Sequence, residues 1–166
     1  MRDVPAGGGG VPAEAGAGGP PPLVLPRALV TAMLDHARAE APLEACGIVG
    51  GKDGRPVTFY PARNADRSPV RYTVDPEDQL RIFTTMDERG EALWAIFHSH
   101  PHSPAYPSPT DVRYAYYPEA YYLIASLAAE PPVLRAFRIV DGAIVEHPLA
   151  VDDGAAGPPP PPVSRG

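Results

Sequence analysis

Between residues 98 and 111 the chain reads HSHPHSPAYPSPTD, and here the residue types and their spacing offer chemistry. His98 and His100 stand two apart at the end of an apolar run. In an extended strand, residues i and i+2 share a face, so both imidazoles can turn toward one ion. Asp111, brought back by the intervening loop, would supply a third protein ligand and leave a fourth position for water. That is the arrangement of a catalytic zinc site, and it points to a metal-dependent hydrolase. A His-x-His pair alone is a weak signal. Ser108-Pro109-Thr110-Asp111 also has the form of a helix start: Ser as N-cap, Pro next, and an acid three residues after the cap reaching back to the backbone. The capping reading accounts for Ser108 and Asp111 without a metal, but it leaves two histidines at a strand exit unexplained.

The elements that must hold this stretch can be read on both sides of it. Glu91–His98 (EALWAIFH) is so continuously apolar that it is expected to be a central buried strand with the histidines at its far end. Upstream, Pro26 opens a helix with Leu29, Met33, Leu34 and Ala37 at helical spacing, and Pro42 closes it. His36 in that helix has no partner at ligand spacing and reads as a packing or surface residue. Leu43–Gly51 reads as a short strand carrying Cys46 as a small buried packing residue. Glu44 at its start, taken alone, reads as a solvated loop acid.

Asp53-Gly54 signals a hairpin into the strand Arg55–Ala62, followed by a loop over 63–70 and a brief extended segment Tyr72–Val74. Asp75-Pro76-Glu77 opens a second helix whose apolar face is Leu80, Ile82, Phe83 and Met86, with Gly90 as its end. Beyond the His/Pro loop come a short helix over 111–117, the strands Tyr121–Leu127 and Val133–Val140, a turn at Asp141-Gly142 and a last strand Ala143–Leu149. This order predicts an α/β domain with a mixed sheet and helices packed on it. No Gly-x-Gly-x-x-Gly or P-loop pattern supports nucleotide binding.

A length of 166 residues fits one domain, expected over 23–152. Residues 1–22 are dominated by Gly, Pro and Ala, and 153–166 contain the run Pro158–Pro162. Both read as disordered tails, the second with polyproline character. The net charge of −6 without a Lys/Arg block argues against nucleic acid. One cysteine cannot build a disulfide framework or a multi-cysteine zinc site and suits a reducing cytoplasm. No run approaches the roughly 18 apolar residues of a membrane span, and no export signal is evident, so a cytoplasmic protein without a membrane partner is expected.

His98-Ser99-His100-Pro101, six residues, Ser108, two residues and Asp111 resembles the JAMM motif of MPN-type metalloproteases: an upstream Glu, then His-[Ser/Thr]-His-Pro-x6-Ser-x2-Asp. Glu44, in a Pro-x-Glu-x-Cys-Gly context, is similar to the upstream Glu of the short bacterial members, and the likeness runs from about Leu29 to Leu149. Asn64, Tyr72 and Asp75-Pro76 also look like the family's middle region, Asn64 as a structural hydrogen-bonding residue. The resemblance implies a single MPN domain of α/β, cytidine-deaminase-like fold, with a mixed curved β-sheet flanked by helices. It implies His98, His100 and Asp111 as the ligands of one Zn2+ per chain with water in the fourth place. Glu44 would be the general base and then general acid, and Ser108 the donor to the tetrahedral oxyanion. Ser99 would face the other way in a supporting or packing role, and His102 would be exposed in a variable loop position.

The resemblance also implies a substrate: an amide or isopeptide bond at the C-terminus of a ubiquitin-like fold whose Gly-Gly tail is held as an added strand. Between Pro101 and Ser108 there is no long insertion of the kind eukaryotic deubiquitinases use to grasp a second ubiquitin. The compact form is similar to bacterial members acting on ubiquitin-like sulfur carriers, which implies release of cysteine from a carrier-cysteine adduct in cysteine biosynthesis. Two alternatives are a peptidase trimming C-terminal extensions of ubiquitin-like proteins or other peptides, and a noncatalytic MPN scaffold, which would lack a ligand or Glu44. Tyr106, Tyr114, Tyr116, Tyr117, Tyr121 and Tyr122 flank the motif and serve either a peptide groove or the core.

Overall fold

A strand that runs apolar for most of its length has to be covered on both faces, and β4 (Ala92–His100) is placed accordingly. The fold is taken from a computed structural model that describes residues 19–154; the remainder of the two expected tails, including Pro158–Pro162, lies outside the described residues. Element order is β1 (Leu23–Pro26), α1 (Arg27–Glu40), β2 (Cys46–Lys52), β3 (Arg55–Ala62), α2 (Pro76–Glu88) and β4. It continues with α3 (Pro109–Arg113), β5 (Tyr121–Ser126), β6 (Val133–Val140), β7 (Ala143–His147) and β8 (Leu149–Asp152). Six strands form one sheet in the order β3-β2-β4-β5-β6-β7. The β4–β5 pair is parallel and the other pairs are antiparallel, so the sheet is mixed as expected. Among the described residues no helix is long and apolar enough to cross a membrane.

Alternation along β4 divides its residues between two cores. Ala95 and Phe97 join Val30, Met33 and Ala37 of α1, together with Leu25, Val49 and Leu123. Ile96 joins Ile82 and Met86 of α2, with Ile48, Ile124 and Phe137. Because side chains repeat with period two, His98 and His100 follow Ile96 onto the α2 face, while Ser99 follows Phe97 onto the α1 face. Helix α1 starts directly after Pro26 and stops before Pro42, whose ring forces Ala41 out of the helical region (ψ 138). Asp75 caps α2 by accepting hydrogen bonds from the Glu77 and Asp78 amides. The hairpin turns carry left-handed pairs, Asp53 and Gly54 at φ 52 and 75 and Asp141 and Gly142 at φ 50 and 80, the conformation that matches the twist of flanking strands.

Three expectations differ from the structure. Leu80 is 71% exposed rather than part of the α2 core face. The buried stripe is Asp78, Ile82 and Met86, and a residue two away from Ile82 lies about 200° around the helix. Asp78 is tolerated there because the Arg63 amide and guanidinium donate to its carboxylate. Helix α3 starts at Pro109 and ends by Tyr114 rather than spanning 111–117, because the Ser108 cap sets its first turn two residues earlier. The last expected strand divides at Pro148: β7 closes the large sheet, and β8 pairs in parallel with β1, which no local pattern marked as a strand.

Candidate metal centre

The β4 alternation turns His98 and His100 to one side, and the register of β2 against β4 brings a third element to them. Cys46 pairs with His98, and the Ser99 amide donates to Ala45 O at 3.0 Å. Continuing that antiparallel register by two residues sets Glu44 opposite His100. The solvated reading of Glu44 is therefore overturned: the residue is 3% exposed. The loop after Pro101 returns the chain to Ser108, and α3 delivers Asp111 to the same place. Glu44, His98, His100 and Asp111 offer ligand atoms that all lie within 4.8 Å of one another.

Within this group, three atoms form a nearly equilateral triangle. His98 Nε2 is 3.1 Å from His100 Nε2, and each is 3.1 Å from Asp111 Oδ2. A ring nitrogen carries either one proton or one lone pair, so mutual hydrogen bonds cannot satisfy all three edges. A cation can. Donors about 2.0–2.1 Å from a tetrahedral ion stand about 3.3 Å apart, close to the separation found. His100 Nδ1 donates to Pro104 O at 2.7 Å, which leaves the Nε2 lone pair aimed into the triangle. His98 is oriented differently. Its Nδ1 is buried without a partner among the described residues, and its ring lies stacked on Tyr72 with centroids 4.5 Å apart.

Both readings of the Ser108–Asp111 stretch are present at once. Ser108 Oγ accepts from the Asp111 amide at 3.0 Å and Asp111 Oδ2 accepts from the Ser108 amide at 2.9 Å, a complete capping box. The box fixes the carboxylate that faces the histidines. Accepting one bond also leaves the Ser108 hydroxyl hydrogen free to donate.

The charges suit a cation. Burial pushes the Asp111 carboxyl up, but the close His100 and His98 imidazoles and the hydrogen bond from the Ser108 amide outweigh it and hold the group well below the usual carboxylate range. Burial lowers His98, keeping it neutral with a lone pair to offer. His100 is also lowered by burial, but the adjacent Asp111 carboxylate and the Pro104 contact bring it above its ordinary value. Glu44 is raised to about 7, chiefly by burial, with His100 opposing and Asp111 reinforcing the shift. Its Oε1 is buried without a partner among the described residues. A carboxyl poised near neutrality beside a cation-ready triangle can take up and return a proton at physiological pH.

Beside Asp111 opens a cleft of about 520 Å³, walled by Tyr72–Val74, by Gln79 and Phe83 of α2, by Thr110 of α3 and by Tyr114 just after it. Four of the six flanking tyrosines, Tyr114, Tyr116, Tyr117 and Tyr122, line it. The other two pack elsewhere, Tyr106 edge-on to Phe137 and Tyr121 against Trp94. Ser99 Oγ accepts from the Ala45 amide at 2.8 Å, His102 is exposed, and His36 Nε2 contacts Cys46 O at 2.9 Å. Cys46 is buried, and burial pushes its thiol up to about 12. Two contacts carried no local signal. The stack of Tyr72 on His98 joins a loop to a strand, and Glu91, at the opposite end of β4 from the histidines, is a buried carboxylate that accepts from Thr58 and Tyr60 at 2.8 and 2.7 Å.

Residues 26–140 match the family described as prokaryotic homologs of the JAB domain. The CysO-cysteine peptidase of Mycobacterium tuberculosis H37Rv is 44% identical over 133 residues, covering 78% of this chain and 90% of that protein. The probable TtuB-protein conjugate cleaving protease of Thermus thermophilus is 36% identical over 122 residues, covering 72% and 78% of the two chains. Among solved structures, the protein DSY2949 of Desulfitobacterium hafniense superposes with a TM-score of 0.73 at 38% identity, covering 79% of this chain and 93% of that one. With the family match extending over most of the described residues, the chain belongs to the JAB/MPN family as one of its prokaryotic members.

Proposed function

We propose that this chain is a zinc peptidase that hydrolyses the amide bond after the C-terminal Gly-Gly of a ubiquitin-like sulfur-carrier protein, releasing cysteine from a carrier-cysteine adduct. The reaction class rests on one observation: a buried triangle of His98, His100 and Asp111 donors with Glu44 in the same group. His98, His100 and Asp111 would hold one Zn2+, for which two neutral imidazoles and one carboxylate are a fitting set. When bound, zinc lowers the pKa of a coordinated water toward about 7 and polarises a carbonyl.

The other steps belong to the chain's own side chains. Glu44, buried and raised to about 7, accepts a proton from the attacking water at Oε1 or Oε2 and returns it to the departing amine nitrogen. Ser108 donates its hydroxyl hydrogen to the developing oxyanion while its oxygen stays engaged with the Asp111 amide. The Pro104 carbonyl keeps His100 in the tautomer that presents Nε2. A noncatalytic scaffold is disfavoured because all of these residues are present and their ligand atoms converge.

The tail-binding reading draws support from the cleft wall. Thr73 O accepts from the Ala65 amide, while Thr73 N and Arg71 O bond to the Asn64 side chain. Strand alternation then turns the backbone groups of Tyr72 and Val74 toward the cleft, where an extended peptide can add as a strand. The relative named CysO-cysteine peptidase, matched over most of both chains, favours cysteine as the group released. The relative named as cleaving TtuB-protein conjugates supports a second reading, removal of larger C-terminal attachments from a ubiquitin-like protein. We take residues 23–152 as the catalytic unit and the cytoplasm as its place of action, which suits the lone buried thiol of Cys46.

The test is to incubate zinc-loaded protein with a ubiquitin-like carrier ending in Gly-Gly-Cys and follow cysteine release by mass spectrometry. Release that disappears in His100→Ala and Glu44→Gln is expected. No release, or release indifferent to both substitutions, overturns the assignment. Equal cleavage of carriers ending in Gly-Gly-Ala or in longer extensions selects the second reading.

A further inference from the structure

Asn64 lies in a loop, carries no charge and is outside the group that could hold a metal, yet it is buried and all four of its hydrogen-bonding positions are taken. Its Nδ2 donates to Glu44 O at 3.1 Å and to Arg71 O at 3.0 Å. Its Oδ1 accepts from the Asp66 amide at 3.0 Å and from the Thr73 amide at 3.1 Å. One of these bonds, from the Asp66 amide, closes the local turn. The other three reach across to the backbone of Glu44, on the far side of the β2–β3 hairpin, and to Arg71 and Thr73 in the segment that walls the cleft.

We infer that Asn64 is a positioning residue that sets Glu44 and the cleft-wall segment Arg71–Val74 at a fixed distance from each other through one planar amide. Glu44 needs such an anchor. It precedes β2, so the sheet ladder does not hold it; its amide donates to Ser68 O at 2.8 Å, and its carbonyl is held by Asn64. The cleft wall needs one too, because among the described residues the one strand-type pairing of residues 71–74 is the isolated β-bridge Asn64↔Val74. That wall also carries Tyr72, whose ring is stacked on His98. One side chain therefore couples the proposed proton acceptor, the proposed peptide-binding edge and the aromatic support of a histidine in the triangle.

Geometry makes the amide specific for this task. Asn64→Asp is isosteric but turns the double donor into an acceptor facing two carbonyl oxygens, so the links to Glu44 and Arg71 break while those to Asp66 and Thr73 can remain. Asn64→Ala removes all four bonds. The inference rests on the proposed reading of Glu44 as the base, and it adds that the base and the substrate edge are set by a shared residue.

The experiment measures kcat and KM for zinc-loaded wild type, Asn64→Asp, Glu44→Gln and the double variant on a carrier ending in Gly-Gly-Cys, using single-turnover rates for the slow variants. Thermal melting accompanies the kinetics. Asn64→Asp is expected to lower kcat by up to about a hundredfold, the scale of a small misplacement of a reacting group, and to raise KM through the displaced cleft wall. In the Glu44→Gln background the kcat effect should vanish while the KM effect persists, because a residue acting through Glu44 has nothing left to position. An equal kcat loss in both backgrounds, or a drop in melting temperature with unchanged kcat and KM, overturns the inference.

Amide hydrogen exchange of the wild-type protein keeps the test decisive if Asn64→Asp does not fold. The Asp66 and Thr73 amides should be protected together, and free exchange at either one refutes the anchor. Inactive wild-type protein refutes the proposed function itself, whereas active wild type with an indifferent Asn64→Asp refutes the positioning role alone.

Discussion

Replacing Glu44 with Gln should have two opposite effects, and the structure sets the size of one of them. Burial raises the Glu44 carboxyl from its ordinary 4.5 to about 7 in the folded, metal-free protein. Below about pH 4.5 both the folded and the unfolded chain carry the proton, so the group costs the fold nothing. Between 4.5 and 7 the unfolded chain ionises first, and stability falls as the pH rises; above about 7 the loss is complete. At about 1.4 kcal/mol per unit the gap corresponds to about 3 kcal/mol, reduced to about 2 kcal/mol for the solvent that reaches the carboxylate.

Gln has the same shape and no charge to desolvate. Chelated Glu44→Gln protein should therefore match the wild type near pH 4.5 and exceed it by about 2 kcal/mol at pH 8, as measured by urea denaturation at both pH values. Loaded with zinc, the same variant should lose roughly 10²–10⁴ in kcat, the usual worth of a positioned acid–base group. Loading should also flatten the wild-type pH slope, because a nearby dication favours the carboxylate. A stability difference that is equal at both pH values, or a variant less stable than wild type at pH 8, would refute the claim that burial of this carboxyl sets its proton affinity.

Ser108→Ala should cost about 1 kcal/mol of stability through the lost cap and, separately, about 3 kcal/mol of activation barrier, read by comparing melting with kcat; Ser108→Thr keeps the hydroxyl and should restore most of both. Cys46, with its buried thiol pushed up to about 12, should resist iodoacetamide at pH 8 in the folded protein and react only once urea unfolds it. A Cβ at Gly47 would sit 2.6 Å from the Phe59 ring and 2.7 Å from Tyr60 O. Gly47→Ala is accordingly expected to lower stability by about 1–3 kcal/mol in thermal melts, since the backbone oxygen of the paired strand cannot swing aside.

The strands Arg55–Ala62 and Val133–Val140 and the helix after Pro26 were legible in the sequence, because turn residues, prolines and hydrophobic period act on neighbours in the chain. So were the two histidines: a two-residue spacing on an apolar strand has the same meaning wherever the strand lies. Ser108 and Asp111 were legible only as a pair of alternatives, which the fold resolves by holding both, the cap orienting the carboxylate that meets the histidines. Tertiary structure alone decided the rest. Nothing next to Glu44 in the chain says that it is buried; the β2–β4 register does, by setting it against His100. The pairing of β1 with β8 joins segments from opposite ends of the described residues, and no local period announces such a ladder. Leu80 is exposed because the helix had to turn Ile82 and Met86 inward, a choice made by the sheet beneath it. Local chemistry is written in the spacing of residues, but proton affinity depends on burial, and burial exists only once distant segments have packed.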